Sequence, residues 1–470
     1  MIDIILLSIP KMEVHNPLIA SAAIKAILNK KNISSLCLDM NVDLWIQLRT
    51  QCANFWETDD QTIHDKEMFE EWWEKYHTYV EEWVDNNIDK VNPKFIGITL
   101  LSHWQHRFAE KLIELLPTYK IILGGPGVSV KNFAKRMNVY AYVNGEAEHV
   151  IEHILNGNLN LPGVNGIPPV QIENLNELPF PDYSDFDFSK YSHKFRDVYT
   201  EPKGADFIYV TASRGCIRRC KFCDVAAHWP NFITKDGSTI AREMEYQIQK
   251  HNIRSFYFTD SLINGNTKVL KDLVDTIIDK KLDIDWAGQF IVRNPKTMSP
   301  NDFDKLKLSG CKRLLLGVES YSQSVLNHMK KGMRTVDVDY TMEQCSRLNI
   351  QVVPMMIVGY ITETDEDHKQ NLIFLEKNKK YVDDGTIYQI SLGPTLRVYD
   401  GTPLADHFDE IGIDRKDEGG WTYNDNTEKV RIERWFEMQN KAIELGYKLA
   451  IKSPTFLKNR YKKITGDKIE

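Results

Sequence analysis

Short apolar runs of strand length alternate with amphipathic helical stretches along most of this sequence. Such alternation predicts parallel strands joined by crossover helices, because each strand is then buried beneath a helix. In the first 157 residues the predicted strands are 3–7, 35–39, 95–100, 120–123 and 141–143. The sequence therefore predicts an α/β fold that begins with a mostly parallel sheet over residues 1–157.

The rest of the sequence predicts three further segments. Residues 158–204 are rich in proline and lack periodicity, which indicates a linker. Six strand-like runs follow, at 207–211, 255–259, 284–287, 313–317, 351–356 and 386–391. Six βα units over residues 205–405 would make a partial (β/α)6 barrel, with its chemistry at the carboxyl ends of the strands. Residues 406–470 are predicted to form a C-terminal helical segment, with a helix over 428–451 and a basic tail that is either solvated or contacts a partner.

One segment interrupts the first sheet. Residues 45–90 hold five of the ten tryptophans among many acidic residues, which indicates a helical insertion. It is either a packed helical pair or a lid.

Composition narrows the class of protein. The formal charge of −7 and the pI near 6.1 give no overall positive field, which argues against nucleic-acid binding. No run approaches the roughly 20 apolar residues of a membrane span, and the first segment reads as a buried strand. Seven cysteines, an odd number, suit a reducing compartment better than a disulfide framework. We therefore expect a cytoplasmic protein.

Three of the cysteines form a C-x3-C-x2-C array, made of Cys216, Cys220 and Cys223, directly after a predicted strand. Thiolates are the preferred ligands of iron–sulfur clusters. Three thiolates around a four-iron cubane leave one iron open, as in catalytic metal sites. Gly215 permits a sharp bend before the first ligand, and Phe222 can shield the cluster from water. The alternative is a structural zinc site, for which His228 is the only nearby fourth ligand. The other cysteines are expected to be small buried side chains.

This segment resembles the cluster-binding loop of the radical S-adenosylmethionine (SAM) superfamily. Further matches over about residues 205–405 are the Gly-x-Glu-Ser element that ends at Glu319 and Ser320, and a late Gly-Thr-Pro-Leu element at 401–404. The resemblance implies a [4Fe–4S] cluster whose open iron is chelated by SAM and which reductively cleaves SAM to a 5′-deoxyadenosyl radical. It also implies an external electron donor such as flavodoxin or ferredoxin.

The same resemblance implies residues that contact SAM. Glu319 and Ser320 lie beside the cofactor in that family, and Phe222 belongs to the cluster-binding loop. Asp260 stands where a polar group meets the SAM amino group, and Arg293 is placed to bind the SAM carboxylate bidentately. The alternative for Asp260 and Arg293 is that each is a solvated or salt-bridged surface residue without a role in binding SAM.

One loop departs from the family pattern. Tyr360 and Ile361 replace the usual Gly-x-Pro of the turn after a barrel strand. This departure leaves the conformation of the loop to be determined.

Residues 1–157 resemble the Rossmann-like, cobalamin-binding-like domain that precedes many members of this superfamily. The segments that carry this resemblance are 96–102, 122–129 and 143–148. Gly124, Gly125 and Gly127 follow one strand, while Thr99 and Ser102 end its neighbour, so cobalamin is expected over these strand ends. A dinucleotide fits less well because no G-x-G-x-x-G opens the first βα unit. No D-x-H-x-x-G motif offers a lower-axial histidine. We expect Gly125→Val to block cobalamin without disturbing the cluster, because its side chain would occupy the ligand's space and strain the turn.

The resemblance as a whole implies methylation of an unreactive carbon, although the same architecture also supports ring formation and rearrangement. A tRNA methylthiotransferase shares the core motifs but needs three further N-terminal cysteines, and only Cys37 and Cys52 lie there. A non-catalytic iron–sulfur sensor is the third alternative. The sequence assigns neither the substrate nor a catalytic side chain.

Overall fold

Two sheets, one in each half of the chain, organise the computed structural model, which describes residues 2–57, 62, 63, 65–191, 206–398, 401–415, 420–450 and 455–467. The chain divides into two compact units. Unit 1 consists of Met1–Ile208 with Tyr246–Ile253, and unit 2 consists of Tyr209–Glu245 with Arg254–Glu470. The predicted α/β fold, with a parallel sheet at the N-terminus, a second in the barrel region and helices at the C-terminus, is confirmed.

Unit 1 is built on a parallel sheet with the strand order β2-β1-β3-β4-β5. Its strands are β1 Ile4–Ser8, β2 Ser35–Asp39, β3 Phe95–Thr99, β4 Lys120–Gly124 and β5 Ala141–Tyr142. Its helices are α1 Ile19–Lys30, α2 Met40–Cys52, α3 Lys66–Val84, α4 His106–Leu115, α5 Phe133–Arg136 and α6 Ile151–Leu155. Every residue of β1 is buried, as expected for a central parallel strand that is covered on both faces. Ser8 pairs with Thr99, and Thr99 pairs with Gly124, so these three strands end at one edge.

The tryptophan-rich insertion is a packed helical pair. The buried face of α3 includes Phe69, Trp72 and Tyr76, and the Trp72 ring stacks on Phe55 with centroids 4.3 Å apart. The Trp83 indole N–H donates to Asp43 Oδ2 of α2 at 3.0 Å. These side chains belong to the core of unit 1, so the insertion is not a lid.

The predicted linker lies largely in unit 1. Its described part, 158–191, contains two short 3-10 turns, Leu175–Glu177 and Phe188–Lys190. It is tied down by contacts such as the Lys25–Asp185 ion pair and the hydrogen bond from the Tyr191 hydroxyl to Asp39. Residues 192–204 lie outside the described part of the chain.

Unit 2 is built on a six-stranded sheet with the order β13-β12-β11-β10-β9-β6 among its described residues. The strands from β6 on are β6 Phe207–Val210, β7 Ser213–Arg214, β8 Ile233–Thr234, β9 Ser255–Phe258, β10 Asp285–Phe290, β11 Cys311–Glu319, β12 Gln351–Met356, β13 Ser391–Leu392, β14 Asp414–Arg415 and β15 Trp421–Thr422. The helices are α7 Val225–His228, α8 Gly237–His251, α9 Thr267–Asp279, α10 Pro300–Leu308, α11 Gln323–His328, α12 Thr335–Arg347, α13 Asp365–Asp383, α14 Pro403–Asp406, α15 Phe408–Ile411, α16 Glu428–Glu444 and α17 Thr455–Thr465. Within the described residues, no helix combines the length and hydropathy that crossing a membrane requires.

Two predicted elements are shorter than expected. The sixth strand pairs with β12 only at Ser391–Leu392 and through an isolated bridge at Ile387, because the intervening residues leave the ladder. Helix α16 ends at Glu444 instead of 451, because Gly446 adopts a φ of 83° and Tyr447 N–H bonds back to Ala442 O.

The C-terminal tail is partly packed. In α17, Leu457 is buried and Arg460 forms a two-pronged ion pair with Glu428 of α16. The predicted basic tail is therefore solvated only in part, at cations such as Lys462.

Candidate functional site

The three motif cysteines lie on a loop that leaves β7 and returns through β8. We call residues 215–223 the cysteine loop. β7 pairs antiparallel with β8, so the loop is closed at its base. Gly215 begins it with a φ of 81°, and a Cβ there would lie 2.4 Å from Asn231 O. Glycine is thus required at the bend, as expected from the sequence.

The thiols are close enough to influence one another. Cys220 is buried, whereas Cys216 and Cys223 are half-buried, and all three are free. Burial raises the pKa of Cys220 to about 11, against the opposing charge of Lys331 and with further increases from the other two cysteines. Burial also raises the pKa of Cys223.

The donor set fits an iron–sulfur cluster. It offers three thiols from one loop, which must lose their protons when they bind a metal. Over the described residues, no three Cys, His, Asp or Glu side chains are grouped closely enough to hold a metal ion, the three loop cysteines included. The fit therefore rests on the chemistry of the three thiols and not on their present spacing. His228, the fourth ligand of the zinc alternative, instead lies 3.7 Å from Asp224 Oδ2.

A buried ion pair that the sequence did not predict lies beside the cysteine loop. Strand β11 ends in a bulge that gives Glu319 a φ of 64° and brings its carboxylate within 2.6 Å of Lys331 Nζ. Burial alone would lower the pKa of Lys331, but Glu319, Cys220 and Cys216 together raise it. Lys331 also lies 6.0 Å over the ring of Phe222, so a fixed positive charge adjoins the thiols. The only sequence signal for this turn is Gly332; in the structure both Lys330 and Gly332 have positive φ.

Ser320 lies inside a hydrogen-bond network. It is fully buried, and its hydroxyl donates to Asn371 Oδ1 at 3.1 Å. The same oxygen accepts from Tyr321 N–H at 2.7 Å, and Asn371 Nδ2 is 3.4 Å from Glu363 Oε2. Burial raises the pKa of Glu363 to about 7, with Arg434 opposing the rise. In this arrangement Ser320 fixes the end of β11, and its predicted contact with SAM stays a prediction.

Asp260 and Arg293 differ in what they offer a ligand. The Asp260 carboxylate accepts from Ala212 N–H at 3.0 Å and from the Ser213 hydroxyl, so both oxygens hold the entry to the cysteine loop. Burial raises the pKa of Asp260 to about 6, against the hydrogen bond from Ser213. Arg293 donates from Nη2 to Asn264 O at 3.0 Å and leaves a buried Nε without a hydrogen-bond partner.

Arg293 is also electrostatically linked to the loop. Burial lowers the pKa of Arg293, Arg218 lowers it further, and Cys216 opposes the change. A half-buried guanidinium with an unused donor near Cys216 suits a carboxylate ligand.

The turn after β12, where the sequence departs from the family pattern, is held by the C-terminal segment. Tyr360 and Ile361 are both buried, and Asn426 Nδ2 donates to Tyr360 O at 2.7 Å. Arg434 Nη1 donates to Glu363 O at 2.9 Å, and Arg431 fills the space where a Cβ on Gly359 would lie. Side chains from α16 and the residue before its N-cap thus fix the turn without a proline.

The late Gly-Thr-Pro-Leu element lies against the cysteine loop. Gly401 has a φ of 84°, and Leu404 N–H donates to Lys221 O at 2.8 Å. Thr402 caps α14 by accepting from Ala405 N–H. This distant part of the chain therefore supports the loop directly.

In unit 1 the predicted cobalamin residues share one edge of the sheet. Thr99 and Gly124 end neighbouring strands in register, and Ser102 Oγ caps the next turn by accepting from Trp104 N–H at 3.2 Å. A Cβ on Gly127 would lie 2.8 Å from Ser102 O, so this glycine allows the two loops to approach closely.

Gly125 corrects one expectation. A Cβ there would lie 2.5 Å from Leu100 O on a backbone with φ +94°, so Gly125→Val would strain the turn rather than fill ligand space. Gly124 is the position that opens into free space, because a Cβ there meets no atom within 4 Å.

Comparison with known proteins identifies the barrel. Residues 210–375 match the family model described as the radical SAM superfamily. Residues 210–375 therefore form a radical SAM domain. This match confirms the predicted family for residues 210–375. It also confirms the two cofactors that a radical SAM domain requires, a [4Fe–4S] cluster and SAM. The individual contact residues stay predictions.

One curated relative covers more of the chain than the family match does. The chain is 25% identical over 299 residues to the anaerobic magnesium-protoporphyrin IX monomethyl ester cyclase of Synechocystis, covering 60% of this chain and 58% of the relative. The chain thus spans less than two thirds of that protein.

Its fold is that of two solved enzymes. The radical SAM methyltransferase TsrM from Kitasatospora setae, with cobalamin and a [4Fe–4S] cluster bound, has a TM-score of 0.63 at 15% identity, covering 87% of this chain and 75% of TsrM. The cobalamin-dependent radical enzyme OxsB, with aqua-cobalamin and SAM bound, has a TM-score of 0.67 at 16% identity, covering 93% and 67%.

Proposed function

We propose that this radical SAM protein is a cobalamin-dependent methyltransferase that acts on an unreactive carbon. One observation carries the proposal: a three-cysteine loop in the barrel unit occurs together with an open glycine-ended sheet edge in unit 1. The fold similarity supports it, since both solved neighbours were determined with cobalamin bound.

In unit 2, the cysteine loop would hold the cluster through Cys216, Cys220 and Cys223. Arg293 would bind the SAM carboxylate through its unused donor, and Phe222 would exclude water from the cluster. When bound, the cluster supplies the electron that splits the C–S bond of SAM, and cobalamin supplies the transferred methyl group. Lys331 stays charged beside the thiols and would offset part of their negative charge.

In unit 1, cobalamin would lie over the strand ends at Thr99, Ser102 and Gly124. Gly124 leaves room for the corrin or its nucleotide tail, while Gly125 and Gly127 shape the turn beneath it. Without a D-x-H-x-x-G histidine, the protein would hold cobalamin by shape and by contacts to its tail.

The remaining alternatives have less support. Cys37 lies in β2 with 2% exposure, and burial raises the pKa of its thiol. Cys52 ends α2 and packs against the core of unit 1. Neither is set in a ligand loop, which argues against the second cluster of a methylthiotransferase. A sensor would have no need for an open cobalamin edge.

We propose a flavodoxin or ferredoxin as the external electron donor, and the cytoplasm as the location. Both rest on the same feature. None of the seven cysteines forms a disulfide, which is typical of a reducing compartment where low-potential donors are present.

The test is anaerobic reconstitution with iron, sulfide and hydroxocobalamin. The absorption spectrum reports cluster and corrin together, and chromatography measures two products of SAM, namely 5′-deoxyadenosine from radical cleavage and S-adenosylhomocysteine from cobalamin methylation. We expect both products from wild type and no 5′-deoxyadenosine from Cys220→Ala. Radical cleavage without S-adenosylhomocysteine would overturn methyl transfer in favour of ring formation or rearrangement, and neither product would overturn the enzyme assignment.

A further inference from the structure

Two chain segments bring four cations together around the cysteine loop. Lys221 N–H donates to Met329 O at 3.0 Å, and Arg218 Nη2 donates to Gly332 O at 2.9 Å. These bonds hold the loop against the turn that follows α11. We call the four cations that result the cationic patch: Arg218, Arg219, Lys221 and Lys330.

The charges of the patch are not compensated. Arg219 donates to the carbonyls of Cys216 and Pro230 at 2.7 and 2.6 Å, and Lys221 Nζ lies 3.2 Å from His328 Nε2. Carbonyls and a neutral imidazole satisfy hydrogen bonds without cancelling charge. Where the structure describes the chain, none of the four cations takes part in an ion pair, although the protein carries a net charge of −7.

Two of the four cations lie at the surface, whereas Arg218 and Lys221 are half-buried. Arg219 and Lys330 are exposed, so water screens them from the thiols, and the buried Lys331 already supplies a cation there. Ile217, 39% exposed, stands beside them as an apolar contact. An exposed apolar side chain ringed by unpaired cations has the composition of a docking site for an acidic protein.

We propose that the cationic patch docks the acidic electron-transfer protein that reduces the cluster. The inference rests on the proposed function, because a cluster must be present to accept the electron. One electron leaves the reduced donor, which is oxidised by one equivalent, and enters the cluster on the cysteine loop, which is reduced by one. No bond forms or breaks in this transfer, and no proton is required. Docking here brings the donor to the loop that carries the ligands, since Ile217 and Arg219 flank Cys216 and Cys220.

The test is the charge reversal Lys330→Glu, at an exposed side chain that lies outside the cysteine loop. The probe is a purified flavodoxin of strongly negative net charge, and its Kd is measured by isothermal titration calorimetry at about 50 mM and about 300 mM salt. We expect the variant to bind at least about tenfold more weakly at low salt and to lose the salt dependence that wild type displays. As a matched control, Lys462→Glu reverses one exposed cation on α17 and should bind like wild type.

A second arm separates docking from catalysis. Dithionite is a small reductant that needs no docking site, so dithionite-driven formation of 5′-deoxyadenosine should be equal in wild type and variant, while flavodoxin-driven formation falls in the variant. Unchanged flavodoxin affinity, or equal loss with both reductants, would overturn the docking proposal. The docking proposal would also be overturned if the variant lost binding of a labelled tRNA but bound flavodoxin with wild-type affinity. A wild-type protein that never cleaves SAM with dithionite would refute the proposed function instead, whatever the binding result.

Discussion

Valine placed at two adjacent glycines should separate ligand binding from stability. At Gly124 an added Cβ meets no atom within 4 Å, so the side chain enters the open edge where we place cobalamin. At Gly125 it meets Leu100 O at 2.5 Å on a backbone with φ +94°. Gly124→Val should therefore reduce cobalamin binding in a stable protein, whereas Gly125→Val should destabilise unit 1.

The magnitudes follow from these geometries. A β-branched residue at positive φ costs about 1–3 kcal/mol, and overlap with the Leu100 carbonyl adds about 1–2 kcal/mol. Gly125→Val should thus lower the free energy of unfolding by about 2–5 kcal/mol. Gly124→Val should change it by less than about 0.5 kcal/mol, as surface substitutions usually do. For cobalamin, filling the open edge should raise the Kd at least about tenfold, or about 1.4 kcal/mol.

Two assays measure these effects. Urea unfolding is followed by tryptophan fluorescence, because six of the ten tryptophans lie in unit 1. With a slope of about 2 kcal/mol/M, Gly125→Val should move the midpoint down by about 1–2.5 M. Equilibrium dialysis with hydroxocobalamin gives the Kd of both variants and of wild type.

Each variant can refute a separate step of the reasoning. Wild-type cobalamin affinity in Gly124→Val would show that the glycine edge is not the binding site. A wild-type urea midpoint in Gly125→Val would show that the turn does not have the conformation described. No cobalamin uptake by well-folded wild type would mean that unit 1 has the fold without the ligand.

Three further predictions address the barrel unit. Alanine at any of the three loop cysteines should abolish cluster assembly, while Cys345→Ala should keep the wild-type iron content; an equal loss of iron in Cys345→Ala would contradict the ligand set. Lys331→Met should destabilise the protein by about 3–5 kcal/mol, because Glu319 is left buried and unpaired, and adding Glu319→Gln should recover most of the loss in urea unfolding; no recovery would contradict the pairing. The pKa of Asp260 is raised by burial to about 6, so the folded state binds its proton more tightly than the unfolded state and stability falls as pH rises from about 4 to about 6. Asp260→Asn should flatten this part of the stability profile, and an unchanged slope would contradict the burial effect.

The sequence predicted those features that depend on local spacing. The three cysteines of the loop and the glycine before them are neighbours in the chain, so their pattern alone indicated their chemistry. Short apolar runs likewise predicted the strands, because each strand is a local segment of the sequence. The strand order required the structure, as β1 lies between β2 and β3.

The features that could not be predicted from the sequence depend on long-range packing or on the direction in which a Cα–Cβ bond points. Asn371 reaches Ser320 from 51 residues away, and Lys331 turns toward the thiols through a tight turn that has no polar signature. The expectation that a side chain at Gly125 would occupy ligand space was wrong for the same kind of reason. A sequence marks Gly124 and Gly125 both as glycine but does not tell which Cα faces a carbonyl and which faces open space.

The contacts between α16 and the turn after β12 show that the barrel depends on residues beyond the family match. The family match ends at residue 375, yet Asn426, Arg431 and Arg434 hold the turn at 359–363 from outside it. A fragment cut at the end of the match would leave the Glu363 carboxyl buried without the arginine that now lies 3.5 Å from it. Substitutions in α16 must therefore be compatible with the turn that it holds, even though α16 lies outside the family match.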